Sequence, residues 1–364
     1  NTFADVAETA DVYPRGARLM SRLLRATPPE RLMARWESLG VALRVEAEGR
    51  VFPASQQSAT VVDALLSALQ RGGVEWRTHS EVHTVEPAPD GTFRLVDRHG
   101  AHVVDAHFDH VAVTCGGLAR PEALAPWEAL GHAVEAPCPS LFGLRLDAPA
   151  LAALSGVSVN EVSLSLRDTK IRARGPLLLT RQGVSGPGVL RLSAFGARVL
   201  AAAGHHGTLL IGWCGTADPE RALEELRCLF AAHGGRQVGS VRAFDLPARL
   251  WNVLLERSEV PAERRCAELN RRQLRQLATV LTSDAYAVTG RTTHQGEFVT
   301  CGGVSLKSVS PKTMESRYVP GLFFAGEVLD IDGLTGGFNL TAAWLTGLTA
   351  AEGIARRAGE KARD

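Results

Sequence analysis

Along the first third of the chain the hydrophobic pattern changes period twice. Over residues 15–45, Leu19, Leu23 and Leu24 lie beside a face carrying Arg18, Arg22 and Arg25. That spacing predicts an amphipathic helical segment with a solvated basic side. Gly49-Arg50-Val51-Phe52-Pro53 ends it. Val61, Leu65 and Leu69, four apart, predict a helix over about Ser58–Arg71, stopped by Gly72-Gly73. The period then drops to two. Val74–Arg77, Glu81–Pro87, Gly91–Arg98 and His102–His107 read as short strands joined at Pro-Asp-Gly and His-Gly turns. His110–Thr114 reads as a further strand running into Cys115-Gly116-Gly117.

After Pro137-Cys138-Pro139 the texture becomes β-rich. Strands are predicted at Leu141–Leu146, Val157–Leu166, Ile171–Thr180 and Leu209–Cys214, and a mostly helical stretch between Pro219 and Val288. The stretch Gly321–Ala351 has three parts. Leu322–Ala325 is an apolar run bounded by glycines, as in a buried strand. Gly326–Gly337 is a loop with four glycines and three acids, Glu327, Asp330 and Asp332. From Phe338 the pattern is helical, with Leu340, Trp344 and Leu348 on one face. A strand, a glycine loop and a helix N-terminus make a ligand site at the carboxyl edge of many open α/β sheets, because unpaired N–H groups there favour negative charge.

Bulk properties narrow the function. With 364 residues, two or three domains are expected, and 45% apolar residues fit a globular enzyme. A net charge of +1 gives no bulk electrostatic case for a nucleic-acid or membrane partner. No apolar run reaches the ~18 residues of a membrane span, and no apolar signal core is present at the N-terminus. Six scattered cysteines, none at CxxC spacing, read as free thiols of a reducing compartment, hence a cytoplasmic protein. His99, His102, His107 and His110 lie in strand-like sequence, where residues three apart face opposite ways, so no metal site is expected. Gly183-Val184-Ser185-Gly186-Pro187 has proline where a nucleophile elbow needs glycine. No GxxxxGK[ST] phosphate loop occurs.

The phrase AGEVLDIDGLTGGFNLTAAW, from Ala325 to Trp344, resembles the C-terminal flavin motif of the aminoacetone-oxidase-like and bile-acid-dehydro-reductase-like NAD(P)/FAD-dependent oxidoreductases. YPRG at Tyr13–Gly16, GRVFP at Gly49–Pro53, GVSGP at Gly183–Pro187 and EFVTCGGVSLK at Glu297–Lys307 fall in the same order as in that family. The resemblance implies an α/β fold: a Rossmann-like FAD domain interrupted by a β-barrel-like and helical insert. The corresponding bounds are residues 1–136 and 302–364 for the FAD domain, 137–215 and 284–301 for the β-rich insert, and 216–283 for its helical part. A small-molecule substrate is expected in the cleft between FAD domain and insert.

The resemblance also implies cofactor contacts. Val82 would offer backbone to the adenine, and Thr114 and Gly116 would pass beside the dinucleotide. Gly326 and Glu327 would lie near the ribityl and pyrophosphate. Gly336, Gly337, Phe338 and Asn339 would place a helix N-terminus at the isoalloxazine edge, where reduced flavin gathers negative charge. Asp332, like Asp330, reads equally as a cofactor contact or as a loop and capping residue. NAD(P)H is compatible as electron donor, although no second nucleotide fingerprint is present. Arg181 stands where the family phrase usually has histidine, and no catalytic acid or base can be named.

The opening βαβ unit with GxGxxG, on which such proteins hold the FAD pyrophosphate, is absent ahead of the family phrases. Two expectations follow. The chain is a truncated piece of a flavoenzyme, the favoured reading, or it is a short form that holds no FAD conventionally and serves as a cofactor-free binding or structural protein.

Overall fold

The computed structural model describes residues 9–46, 49–292 and 299–361. Glu297 and Phe298 of the EFVTCGGVSLK phrase, and Asn1, lie outside the described residues. The chain divides into two compact units, Asn1–Cys138 with Val299–Asp364, and Pro139–Phe298.

The first unit opens with a short helix α1 (Thr9–Val12), then α2 (Ala17–Ala26) and α3 (Pro29–Ser38). The single helical segment expected over 15–45 is thus broken. Pro28 and Pro29 interrupt it, since a proline has no N–H to donate and restricts the residue before it. Its tail is a strand: β1 (Leu43–Val45) pairs antiparallel with β2 (Val51–Pro53). Helix α4 occupies Ser58–Arg71 and ends at Gly72, as its leucine spacing predicts. Val74–Arg77 forms no strand, and Val74 and Trp76 are exposed. A β pattern needs a partner edge, and this segment has none among the described residues. β3 (Thr84–Pro87) and β4 (Phe93–Val96) form an antiparallel hairpin. His102–His107, expected as a third strand, forms no regular ladder and is held near β4 by the isolated bridges Val96–His102 and Phe93–Phe108, by Val103 N donating to Leu95 O and by Arg94 Nε donating to His107 Nε2. Strand β5 (Val111–Val113) follows, then α5 (Ala125–Ala129) and β6 (Val134–Ser140).

The second unit is a closed six-strand barrel with helices. Its elements in chain order are β7 (Leu144–Leu146), α6 (Pro149–Ala152), β8 (Ser158–Leu166), β9 (Arg172–Thr180) and β10 (Gly183–Ser185). They continue with α7 (Pro187–Phe195), α8 (Ala197–Ala202), β11 (His206–Gly212), α9 (Pro219–Ala232), α10 (Ala248–Arg257), α11 (Arg271–Ser283) and β12 (Asp284–Arg291). The barrel order is β10-β7-β12-β11-β8-β9. Closure requires Gly183: its φ is +149°, and a Cβ there would lie 2.3 Å from the Leu144 carbonyl oxygen. Alternation puts Val162, Leu164, Leu179, Leu209 and Ile211 inside. The helices add Leu226, Leu250, Trp251 and Leu277 to the same core. Two of them start at side-chain caps. Asp218 accepts from the N–H groups of Glu220 and Arg221, and Asn270 and Gln273 form a reciprocal capping box.

The chain then returns to the first unit with β13 (Val299–Val304), β14 (Leu322–Phe324) and α12 (Phe338–Lys361). β14 pairs parallel with β5, Leu322 opposite Val111 and Phe324 opposite Val113. Leu322, Phe323 and Phe324 are fully buried. Among the described residues no helix is long and apolar enough to cross a membrane, and all six cysteines are free thiols.

Candidate functional site

Because β5 and β14 are parallel and in register, their carboxyl ends emerge side by side. Ala325 N donates to Val113 O at 3.0 Å, so the Thr114–Gly117 turn and the Gly326–Gly337 loop leave the sheet together. The two turns touch: a Cβ on Gly117 would lie 2.9 Å from the Glu327 carboxyl group and 2.8 Å from Thr300 Oγ1. Glu327 Oε1 accepts from the Thr300 backbone N–H at 2.8 Å, which ties the loop to β13.

Two hollows border these turns. One, of about 500 Å³, is lined by Thr114, Gly116, Gly326, Glu327 and Asn339, with Trp344 from α12. The other, of about 840 Å³, takes in Val82, Thr114, Cys115 and the buried Trp127. Thr114 lines both. Six of the expected contact residues are therefore brought to two hollows that meet at one residue. Open backbone faces this space: a Cβ on Gly116, whose φ is +79°, would meet nothing within 4 Å. Cys115 is exposed.

The other expected residues sit further along the loop. Gly336 and Gly337 have φ of +113° and +97°, a region side chains rarely adopt, and they lead directly into α12. The first N–H groups of that helix have no partner one turn back. Phe338 is buried and packs edge-on against Tyr13 with ring centroids 5.8 Å apart; the Tyr13 hydroxyl donates to the Phe338 carbonyl at 2.9 Å. Phe338 therefore presents backbone, not ring, to its surroundings.

Asn339 and Asp332 hold the loop's shape. Asn339 Oδ1 accepts from Gly333 N at 2.7 Å, and its Nδ2 donates to Gly333 O at 2.9 Å. Asp332 is completely buried, and both its carboxylate oxygens accept from the Arg15 guanidinium. Of the two readings left open for Asp332, the geometry supports the loop-building one. Gly326 N donates to the fully buried Thr346 Oγ1 at 2.9 Å, fastening the loop's start to the middle of α12.

Pattern reading missed Tyr13, Arg15 and Thr346. The first two stand in the YPRG phrase, a signal that they matter, but no local period reveals a contact spanning 317 residues. The stripe of Leu340, Trp344 and Leu348 on α12 does not face the core either. The helix buries Ala342, Leu345, Thr346 and Ala350, while Leu340 and Trp344 border hollows and Leu340 is half exposed.

Comparison with known proteins agrees with this architecture. The model of the family described as HI0933-like protein Rossmann domain matches residues 1–353. The ribosomal RNA dihydrouridine synthase of Escherichia coli K12 is 30% identical over 325 residues, covering 86% of this chain and 76% of that protein. The 3-dehydro-bile acid delta(4,6)-reductase of Clostridium scindens is 28% identical over 323 residues, 85% and 76% of the two chains. A ribosomal RNA dihydrouridine synthase of Haemophilus influenzae is 28% identical over 334 residues, 87% and 78%. A Rossmann-domain match that takes in both glycine turns and the parallel strands beneath them leads to one assignment: this chain belongs to the HI0933-like Rossmann-domain family.

Proposed function

We propose that the chain works as an FAD-dependent oxidoreductase that reduces a carbon–carbon double bond conjugated to a carbonyl. The observation carrying this reading is the pair of glycine turns at the carboxyl ends of β5 and β14, opening onto hollows that meet at Thr114. The relatives' names converge on one reaction class. A delta(4,6)-reductase acts on double bonds conjugated with a ring ketone, and making dihydrouridine saturates the pyrimidine bond conjugated to a ring carbonyl. Dinucleotide fits this site physically, since open backbone at Gly116 and the unpaired N–H groups of a helix start suit a phosphate-rich ligand better than an apolar one.

On this reading Thr114, Gly116, Gly326 and Glu327 hold the ribityl–pyrophosphate part, and Val82 offers backbone to the adenine. Gly336 and Gly337 let the α12 N-terminus approach the ring, where its N–H groups favour the charge that reduction brings. Arg15, Asp332 and Thr346 position those turns, and Asn339 both ties the loop through Gly333 and lines the hollow beside the cofactor. The bound flavin would supply hydride transfer, with NAD(P)H as electron source and the small organic substrate as acceptor.

The test is a titration of FAD into the purified protein, followed by visible absorption. The expected result is a perturbed flavin spectrum that saturates. It should be lost or weakened at least about tenfold in Gly337→Trp, which adds bulk and backbone strain where the helix begins, with far-ultraviolet circular dichroism unchanged. A free-flavin spectrum at every ratio would overturn the reading in favour of a cofactor-free binding protein.

A further inference from the structure

The chain leaves the first unit once and returns to it once, and a cysteine stands at each crossing. Cys138 is the last residue before the second unit, and Cys301 is the third residue after it. Strands β6 and β13, which carry them, pair as a two-stranded sheet. Ser305 N donates to Ala133 O at 2.9 Å across this sheet. Beside Cys301, Gly302 has a φ of +110°, and a Cβ there would lie 2.6 Å from the Ala136 carbonyl oxygen. Glycine at that position lets β13 lie hard against β6. Strand neighbours about 4.8 Å apart hold their Cα atoms in the range of about 4.4–6.8 Å that a disulfide spans.

The two side chains meet: the Cys301 thiol is hydrogen-bonded to that of Cys138. Cys301 is fully buried, and Cys138 is half-buried. The Cys138 contact first, and burial second, push the Cys301 pKa far up, so Cys301 keeps its proton and is the donor of the pair. Cys138 is the acceptor sulfur and the one that solvent reaches. Cys115, Cys214 and Cys228 instead turn their thiols to backbone carbonyls or to Glu224. No group of three Cys, His, Asp or Glu side chains that could hold a metal occurs among the described residues. The pair also lies behind the loop over 326–337. Cys301 sits in the fields of Arg15 and Asp332, and its neighbour Thr300 donates to Glu327 at 2.8 Å.

We infer that Cys138 and Cys301 form a peroxide-sensitive dithiol, which closes to a reversible disulfide and loosens the loop over 326–337. Cys138 Sγ attacks one oxygen of hydrogen peroxide. The O–O bond breaks, the departing oxygen leaves as water with the Cys138 proton, and a sulfenic acid remains. Cys301 Sγ then attacks Cys138 Sγ, the S–O bond breaks, and a second water carries away the Cys301 proton. Two thiols give up two electrons, and one peroxide becomes two waters. A dithiol reductant reverses the bond by exchange. Closing it draws β13 toward β6 and shifts Thr300 and Cys301 against Glu327 and Asp332. The inference goes beyond the reductase reading and needs no flavin.

The purified protein is treated with hydrogen peroxide, its remaining thiols are blocked with iodoacetamide, and its proteolytic peptides are identified by mass spectrometry. A linked Cys138–Cys301 peptide pair should form, and should vanish with dithiothreitol. In Cys301→Ala, dimedone should instead label Cys138 as the sulfenic acid. In Cys138→Ala, the buried Cys301 should remain reduced. Hydrogen exchange of the backbone amides over 326–337 should quicken at least about threefold in the disulfide form, and peroxide should leave it unchanged in Cys301→Ala. Oxidation of the exposed Cys115 and Cys228 without the linked pair would overturn the inference. So would a pair that forms only in urea, or equal exchange of the loop in the dithiol and disulfide forms.

Discussion

His132 is 3% exposed, and both its ring nitrogens are engaged. Nδ1 lies 2.9 Å from the Trp127 carbonyl, which can only accept, so this nitrogen carries the proton. Nε2 then accepts from the Ser316 hydroxyl at 2.8 Å, and Ser316 Oγ in turn accepts from the N–H groups of Tyr318 and Val319. The network is satisfied only with neutral imidazole. Burial accordingly lowers the His132 pKa from its ordinary 6.5, with the Trp127 backbone contact opposing weakly. The sign for stability follows. In the unfolded chain His132 takes up a proton as pH falls below about 6.5, and in the folded chain it resists doing so. Its contribution is complete above that pH and is lost as pH falls toward the lowered folded value. Urea midpoints measured from pH 8 to 5 should decline on the acid side, and His132→Asn should flatten part of that decline. An identical slope in the variant would show that His132 is not the titrating group.

At the scale of elements, the loop from β14 to α12 depends on fastenings that leave no periodic trace. Leucine spacing locates α4 and the start of α12, and glycine density marks the turns, because those features are set within a few residues. What fixes the loop is long-range: Thr346 to Gly326, Asn339 to Gly333, Arg15 to Asp332. The residues expected to meet a cofactor were thus visible as a group, whereas the division between those facing a hollow and those holding the backbone was not. Asn339 and Asp332 are polar residues in a glycine loop under either role. Asn339→Leu removes both bonds to Gly333 and leaves that buried N–H without a partner, so it should cost about 2 kcal/mol. Thr346→Val leaves Gly326 N–H unpaired in the same way and should cost about 1–2 kcal/mol. Urea unfolding checks both. A change below about 0.5 kcal/mol in either would mean that the loop finds its conformation without that fastening.

For the whole molecule, alternation and composition made β7, β8, β9 and β11 of the barrel readable as strands, because each wall strand buries one face and solvates the other, while β10 and β12 were not read as strands. Closure of those strands into a barrel was less readable. It depends on pairings such as β7 with β12, more than a hundred residues apart, and on Gly183 packing against Leu144.

The barrel also holds a charged group that pattern reading could not place. Asp284 begins β12 and is 3% exposed. It accepts from Trp213 Nε1 at 3.0 Å, from the Arg257 guanidinium at 2.6 and 2.9 Å, and from the Tyr286 hydroxyl. Arg257 also lies over the Tyr286 ring at 4.6 Å. Burial first, and the Asp284 charge second, push the Tyr286 hydroxyl pKa far up, so that it remains a donor throughout the working range. Four groups from β12, α10 and the segment after β11 thus satisfy one another at a single carboxylate. Removing it by Asp284→Ala strands a guanidinium, an indole N–H and a phenol, and should cost about 3 kcal/mol or more. Asp284→Asn keeps a partial acceptor and should cost less. Trp213 and Trp251 are fully buried in this unit, so their emission reports its unfolding, and its denaturation midpoint should fall in the order wild type, Asn, Ala. The FAD titration supplies a separate control, because every residue assigned to the cofactor lies in the other compact unit. Below the variant's unfolding midpoint, FAD binding should be retained. If Asp284→Ala abolished FAD binding while the barrel remained folded, the division of labour argued here between the two units would fail.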